Sequence, residues 1–263
     1  MSEPGNQSLP AYKGGWIQDF MVALVFMTRL PLQPAFTFDI RALKSACRAF
    51  ALVGLVVGGI TGTVYILGAF VGLPLVVAAL IAIAAQMIVT GALHEDAIAD
   101  VADGFGGGAD KEKKLAIMRD SRVGTYGVVA LIVIIGLKVA AISGVSDPLL
   151  GFAILVVAAV VSRGLIPWAL YVLPSARSDG LGHGAGRPEF MAPLVSTIMS
   201  VLIAVLVLGP QIGAIALLAG IIGACVTGLI AKRQIGGQTG DVLGAIQQIS
   251  EICILIACVG AVG

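Results

Sequence analysis

"LPLVVAALIAIAAQMIVTGALHEDAIADVADGFGG", residues 73–107, changes character abruptly in its middle. Residues 73–93 carry no charge, and a run of about 20 apolar residues is what a helix needs to cross a bilayer core. His94, Glu95, Asp96, Asp100 and Asp103 then follow within ten positions. An apolar span that ends in a cluster of acids predicts a membrane helix delivering a polar site to one surface.

The rest of the chain agrees. Of 263 residues, 58% are hydrophobic and 12% charged, and mean hydropathy is +1.03. A soluble domain carries about 25% charged residues. The expected fold is therefore an all-α integral membrane protein. Seven spans are read at about 49–70, 73–93, 126–142, 148–173, 191–209, 211–231 and 245–262. Residues 16–32 are apolar but contain Asp19 and Arg29, which predicts an interfacial or re-entrant helix. Residues 1–15 are polar and rich in Gly and Pro, with no signal-peptide pattern, and are expected to be a disordered lead. Residues 16–263 then form one polytopic domain, with active-site loops at 94–125 and 232–244. The four cysteines have no metal-ligand spacing and are expected to be free thiols. Gly54, Gly58 and Gly62 recur every four residues, a pattern that packs helices closely and would permit a homo-oligomer.

Charge placement sets a direction. Fourteen of the 16 Lys and Arg residues fall before the first span or between spans two and three, four and five, or six and seven. With seven spans these are all on one side, and only Lys138 and Arg163 lie inside spans. The positive-inside rule then places the N-terminus and the acidic stretch in the cytoplasm, with the chain in the cell (inner) membrane. A net charge of +1 with no basic domain argues against nucleic acid as a partner.

If residues 94–105 continue as a helix, Asp96, Asp100 and Asp103 at i, i+4 and i+7 share one face. Like charges at that spacing repel, so something positive must sit between them. One reading supplies Lys111, Lys113 or Lys114 as solvated partners. The other supplies a divalent cation, Mg²⁺ or Mn²⁺, which carboxylates and water suit better than zinc. His94 is either a general base or an interfacial histidine. Two more polar clusters fall on the same side. "MRDSRVGTYG" at 118–127 offers Arg119, Asp120, Ser121, Arg122 and Thr125 at a helix start, which suits a phosphate or, alternatively, a lipid-facing collar. "KRQIGGQTGDVLGA" at 232–245 offers Gln238, Thr239, Gly240 and Asp241, either a mobile phosphate loop or a plain turn with Asp241 capping. Arg163 inside a span needs an anion or water. Carboxylates for metal, arginines for phosphate and a glycine-rich loop on one membrane face are equipment for phosphoryl transfer.

These motifs, in this order, resemble the adenosylcobinamide-GDP ribazoletransferase (cobalamin or cobalamin-5′-phosphate synthase) family. The resemblance rests on "FMTRLPL" at 26–32, "HEDAIADVADGF" at 94–105, "IMRDSRVGTYG" at 117–127, "SRG" at 162–164 and "GGQTGD" at 236–241. It implies a Mg²⁺-dependent membrane transferase that joins α-ribazole, or its 5′-phosphate, to adenosylcobinamide-GDP and releases GMP. It also implies that Asp96, Asp100 and Asp103, with Asp241, hold the metal; that Arg119 and Arg122 bind phosphate; that the loop around Thr239 closes over a substrate; and that His94 or a carboxylate accepts a proton. One departure stands out: Ala97 occupies a position where the family pattern has glycine.

Two rivals come from other classes. A CDP-alcohol phosphotransferase would also use clustered aspartates, but its Ala-Arg and second aspartate pair are missing after Gly104. A transporter could use Lys138, Arg163 and Glu251, but most charged motifs lie at one edge rather than at the midplane. A passive scaffold would not need three carboxylates on one face.

Overall fold

The computed structural model describes residues 9–262, whose regular elements are all helices or single helical turns. In chain order the helices are α1 Trp16–Met27, α2 Leu43–Ala46, α3 Phe50–Phe70, α4 Leu75–Thr90, α5 Leu93–Gly107, α6 Lys111–Ile117, α7 Thr125–Ser143, α8 Pro148–Val172, α9 Gly180–Ala185, α10 Met191–Ile235 and α11 Gly240–Val262. Single 3₁₀ turns at Ile40–Ala42 and Cys47–Ala49 flank α2 and join it to α3. No strand forms among the described residues, only isolated bridges at Ala11–Thr37 and Ser175–Gln238. Five helices are long and apolar enough to cross a membrane, or six if α4 and α5 are taken together as one broken span. The fold is thus an all-α, multi-pass membrane protein.

α8 is the central post. Its residues from Ile154 to Gly164 are buried almost without interruption. α3 lies against it so closely that a Cβ on Gly54 would come 2.4 Å from the Ala159 carbonyl oxygen, and one on Gly58 would come 2.8 Å from Val156 Cα. Gly62 faces the Phe152 ring in the same way. The every-fourth glycine pattern is therefore spent on packing inside the chain.

The 45-residue α10 is not straight. Gly209 has φ +75 and ψ 168, Pro210 follows it, and a Cβ on Gly213 would come 2.9 Å from the Ala204 carbonyl oxygen. Residues nine apart on one straight helix would be about 13 Å apart along the axis. The chain therefore folds back at Gly209–Pro210, as the sequence divided it at 209–211. Ser200 meets Gly164 and Thr197 meets Trp168, while Gly220 meets Val161 and Gly228 meets Leu173. The first arm runs antiparallel to α8 and the second parallel to it.

α4 ends earlier than the expected 93. Gly91 adopts a left-handed φ of +64 and closes the helix, and Ala92 follows at φ +54, a conformation that strains a residue with a Cβ. α5 leaves at 91° to α4. The acids are thereby turned off the axis of α4 onto a separate helix with a buried and an exposed side, and much of the expected loop 94–125 is helical, in α5 and α6. α1 has the same surface character: Val22, Ala23 and Met27 are buried, whereas Ile17 is 81% exposed. Residues 1–8 of the expected lead lie outside the described residues. Tyr12 donates to Asp19, whose carboxylate also takes Ser45 at 3.1 Å and Arg48 at 2.5 Å. The four cysteines are unpaired.

Inside the bundle lies a polar network. Glu251 of α11 accepts from Lys138 Nζ of α7 at 2.7 Å, from Gln86 Nε2 of α4 at 2.7 Å and from Gln247 Nε2 at 3.1 Å. Gln247 also donates to Ser162 of α8, and Gln248 donates to Glu95 of α5 at 3.0 Å. Lys138 also lies 3.8 Å from Glu95, so one buried cation serves both carboxylates.

Candidate active site

Three polar segments meet at one end of the bundle. The Gly236–Thr239 turn is pinned to residues 174–176: Gln238 N–H donates to the Pro174 carbonyl, Ala176 N–H donates to the Gln238 carbonyl, and both are 2.8 Å long. A Cβ on Gly237 would lie 2.0 Å from the Pro174 oxygen. This turn is therefore a fixed part of the wall and not the mobile loop that its glycines suggested. Gln238 is buried and donates to the Gly182 carbonyl at 3.3 Å. Thr239 caps α11, its Oγ1 accepting from Val242 N–H at 3.2 Å, and Gly240 opens the helix. Asp241 is not the cap. Its carboxylate takes the Arg177 guanidinium at 3.4 Å and the Thr239 hydroxyl at 3.2 Å.

α5 faces this wall. Asp96 and Asp241 line one cavity together with His94. Asp100 stands close enough to Asp96, Asp241 and Asp103 to feel each of them. Burial, and then the charges of Asp96, Asp241 and Asp103, push its carboxyl up to about 7, against the pull of Arg177. Three carboxylates thus converge from two helices with one arginine beside them. His94 is buried, and desolvation, with the nearby positive Arg163, drives its pKa well below the usual range, so its imidazole is neutral. Arg163 is itself buried in α8 and donates to the Ala159 carbonyl at 3.2 Å.

Asp103 stands apart from the other acids on its face. One of its oxygens accepts from Gly124 N–H at 2.7 Å and the other from Gly127 N–H at 2.9 Å. It closes the N-terminus of α7, and a Cβ on Gly127 would come within 2.4 Å of its oxygen. The backbone N–H groups that the 118–127 motif offered to a phosphate are in part taken by this side chain. The arginines of that motif are on the surface. Arg122 forks onto Asp120, at 3.0 and 2.6 Å, and holds the Asp120 carboxyl down at about 2. Arg119 pairs with Asp179. Ser121 and Thr125 are exposed. Asp179 also lies 3.9 Å from Arg177, so a chain of charges runs from Arg119 through Asp179 and Arg177 to Asp241.

Arg177 is the residue that sequence reasoning missed. It was visible only as one more positive charge on the correct side. Its side chain is 14% exposed and its Nη1 is buried without a partner among the described residues. No three His, Cys, Asp or Glu side chains among the described residues are close enough to enclose a metal by themselves. Asp96, Asp100 and Asp241 nevertheless fit a hard cation of the Mg²⁺ type. Such an ion takes one or two carboxylates and draws its other ligands from water and substrate phosphate.

The departure at Ala97 has a structural answer. Gly244 of α11 lies directly opposite, and a Cβ there would sit 2.4 Å from Ala97 Cβ. The methyl absent from α11 makes room for the methyl present on α5.

Comparison with known proteins identifies the family. A family model described as cobalamin-5-phosphate synthase matches residues 19–259. An adenosylcobinamide-GDP ribazoletransferase of Mesorhizobium japonicum is 43% identical, over 91% of this chain and 92% of its own. Proteins of the same name from Bradyrhizobium diazoefficiens and Rhizobium etli are each 40% identical, over 91% and 92% of this chain and 92% and 97% of their own. No solved structure matches the chain.

Proposed function

The chain belongs to the cobalamin-5-phosphate synthase family and is a transferase of cobalamin biosynthesis, and on that premise we propose that it joins α-ribazole, or its 5′-phosphate, to adenosylcobinamide-GDP in a Mg²⁺-dependent reaction at the cytoplasmic face of the inner membrane. The observation that carries this reading is the convergence of Asp96, Asp100 and Asp241 beside Arg177, at a cavity that also holds His94.

In this reading a ribose hydroxyl attacks the phosphorus attached to cobinamide. A new P–O bond forms, the pyrophosphate P–O bond breaks, and GMP leaves with the electron pair. Mg²⁺, when bound, neutralises charge on the pyrophosphate. Asp96, Asp100 and Asp241 hold it there. Arg177 exchanges its contact with Asp241 for a phosphate oxygen, a change that its unpartnered Nη1 favours. Arg119 and Arg122 lie further out and draw the anionic substrate in. The hydroxyl proton passes to a carboxylate of the cluster rather than to His94, because burial and the nearby Arg163 disfavour the imidazolium and make His94 a weak base. Asp103 holds α7 against α5 and keeps the carboxylates in register.

The cytoplasmic orientation follows from the fourteen basic residues placed on one side in the seven-span reading. The deciding experiment is GMP release by detergent-purified protein supplied with adenosylcobinamide-GDP and α-ribazole, with Mg²⁺ and then with EDTA. GMP and a corrinoid product that both vanish with EDTA are the expected result. No GMP from folded protein with Mg²⁺ present overturns the reading.

A further inference from the structure

The cavity that holds His94, Asp96 and Asp241 is about 160 Å³, and most of its lining is apolar. Phe26 of α1, Phe50 of α3, Ile166 and Leu170 of α8 and Leu243 of α11 supply much of the wall. Its two ends differ. Phe50, Ile166 and Leu170 are all at most 5% exposed, so the apolar end is deep. Asp96 is exposed and Asp241 partly so, which places the carboxylates at the outer end. An apolar pocket of roughly 150 Å³ accepts a compact flat aromatic group, and the carboxylates at its outer end leave a polar side toward which the rest of a ligand can extend.

The two substrates of the proposed reaction are unlike in this respect. Adenosylcobinamide-GDP presents a macrocycle far too large for the space and a guanine edged with donors and acceptors. Burying guanine against Phe and Leu walls would leave those groups unpaired, which is unfavourable. α-Ribazole presents an alkylated benzimidazole, flat and apolar, joined to a polar ribose. We infer that the chamber is the binding site of the apolar aromatic base of the acceptor nucleoside, seated among Phe26, Phe50, Ile166 and Leu170, with its ribose turned out toward Asp96, Asp241 and His94. This assignment rests on the proposed reaction and adds to it which substrate enters which compartment. Guanine and the corrin ring stay outside the chamber, and base selectivity resides in side chains of α1, α3 and α8 that take no part in the chemistry.

The experiment fills or widens the chamber at its deep end. Leu170→Phe is expected to raise the KM for α-ribazole by about tenfold or more while the KM for adenosylcobinamide-GDP stays within about twofold, since a hydrophobic pocket discriminates by that order per added group. Leu170→Ala acts in the opposite sense and should admit a riboside of a larger tricyclic base that the parent protein rejects. A rise in the KM for adenosylcobinamide-GDP alone, or no change with either variant, overturns the inference. Equilibrium dialysis of α-ribazole against parent and Leu170→Phe protein, without the second substrate, separates the two claims. Binding weakened by the substitution in a protein that releases no GMP keeps the chamber assignment and removes the reaction. Turnover in the parent with α-ribazole binding equal in both proteins does the reverse.

Discussion

Two groups of acids lie a few residues apart on the same helices and have opposite surroundings. Glu95 and Glu251 are inside the bundle, where Lys138 and Arg163 match them in number and Gln86, Gln247 and Gln248 occupy their oxygens. Asp96 and Asp241, on the same two helices, lie at the outer end beside Asp100, with Arg177 alone to answer three carboxylates. Glu95 and Asp96 are neighbours in sequence and differ by which side of α5 they leave. The inner group is balanced in charge and largely hydrogen-bonded, although Glu95 Oε2 and Arg163 Nε are buried without a partner among the described residues. The outer group is unbalanced, and an unbalanced cluster is stable only where a cation or ligand completes it. A deficit of charge marks the site better than the presence of charge does.

The sharpest way to break this contrast is Asp100→Asn. It should abolish GMP release, a loss of at least about a hundredfold, while the detergent-purified protein keeps its parent melting temperature. A variant with full activity would dissolve the distinction between the two groups. Next in size is Glu251→Gln, which leaves the buried Lys138 with only the more distant Glu95, at 3.8 Å, as its anion and should cost up to about 3–5 kcal/mol of stability. Thermal unfolding in detergent reads this, and adding Lys138→Met to the same chain should recover much of the loss. A double variant no more stable than the single one would mean that the inner group is not a balanced pair.

A smaller effect tests the seam between the two helices that carry both groups. Gly244→Ala drives a methyl into Ala97 and should cost about 1–3 kcal/mol as an overpacking change. Ala97→Gly in the same chain should restore most of it, and a thermal double-mutant cycle measures the coupling. The mildest test is pH. Because burial and its acidic neighbours push Asp100 up to about 7, it holds a proton below that pH, and Mg²⁺ must displace it. Mg²⁺ affinity measured by calorimetry should be flat above pH 7 and fall by up to about tenfold per unit below it.

Much of this was legible in the sequence, and what was not has physical reasons. The apolar runs, the short helix α1 and the division of residues 191–235 at Gly209–Pro210 follow from hydropathy and from two residues that stop helices. The right-angle turn between α4 and α5 was not read, although Gly91 is a common helix stop, because Ala92 beside it is an uncommon one. Helical spacing put Asp96, Asp100 and Asp103 on one face correctly. It could not say that α7 packs against the last of them and takes both its oxygens. Arg177 and the pinning of Gly237 depend on loops distant in sequence meeting at one end of the bundle, and no local pattern encodes that.

The fold-back at Gly209–Pro210 has a consequence for how the chain is made. Between Arg187 and Lys232 there is one acid, Glu189, near the start, and no charge at all from Phe190 to Ala231. The turn itself is two residues without a side-chain charge, and its arms already touch at Ala204 and Gly213. Nothing hydrophilic has to be carried through the bilayer behind the first arm, so the two arms can leave the translocation machinery as one paired unit, with their neighbour α8 already in place to receive them on both sides. A single Arg inserted between Gly209 and Pro210 would impose a crossing that the natural chain never has to make.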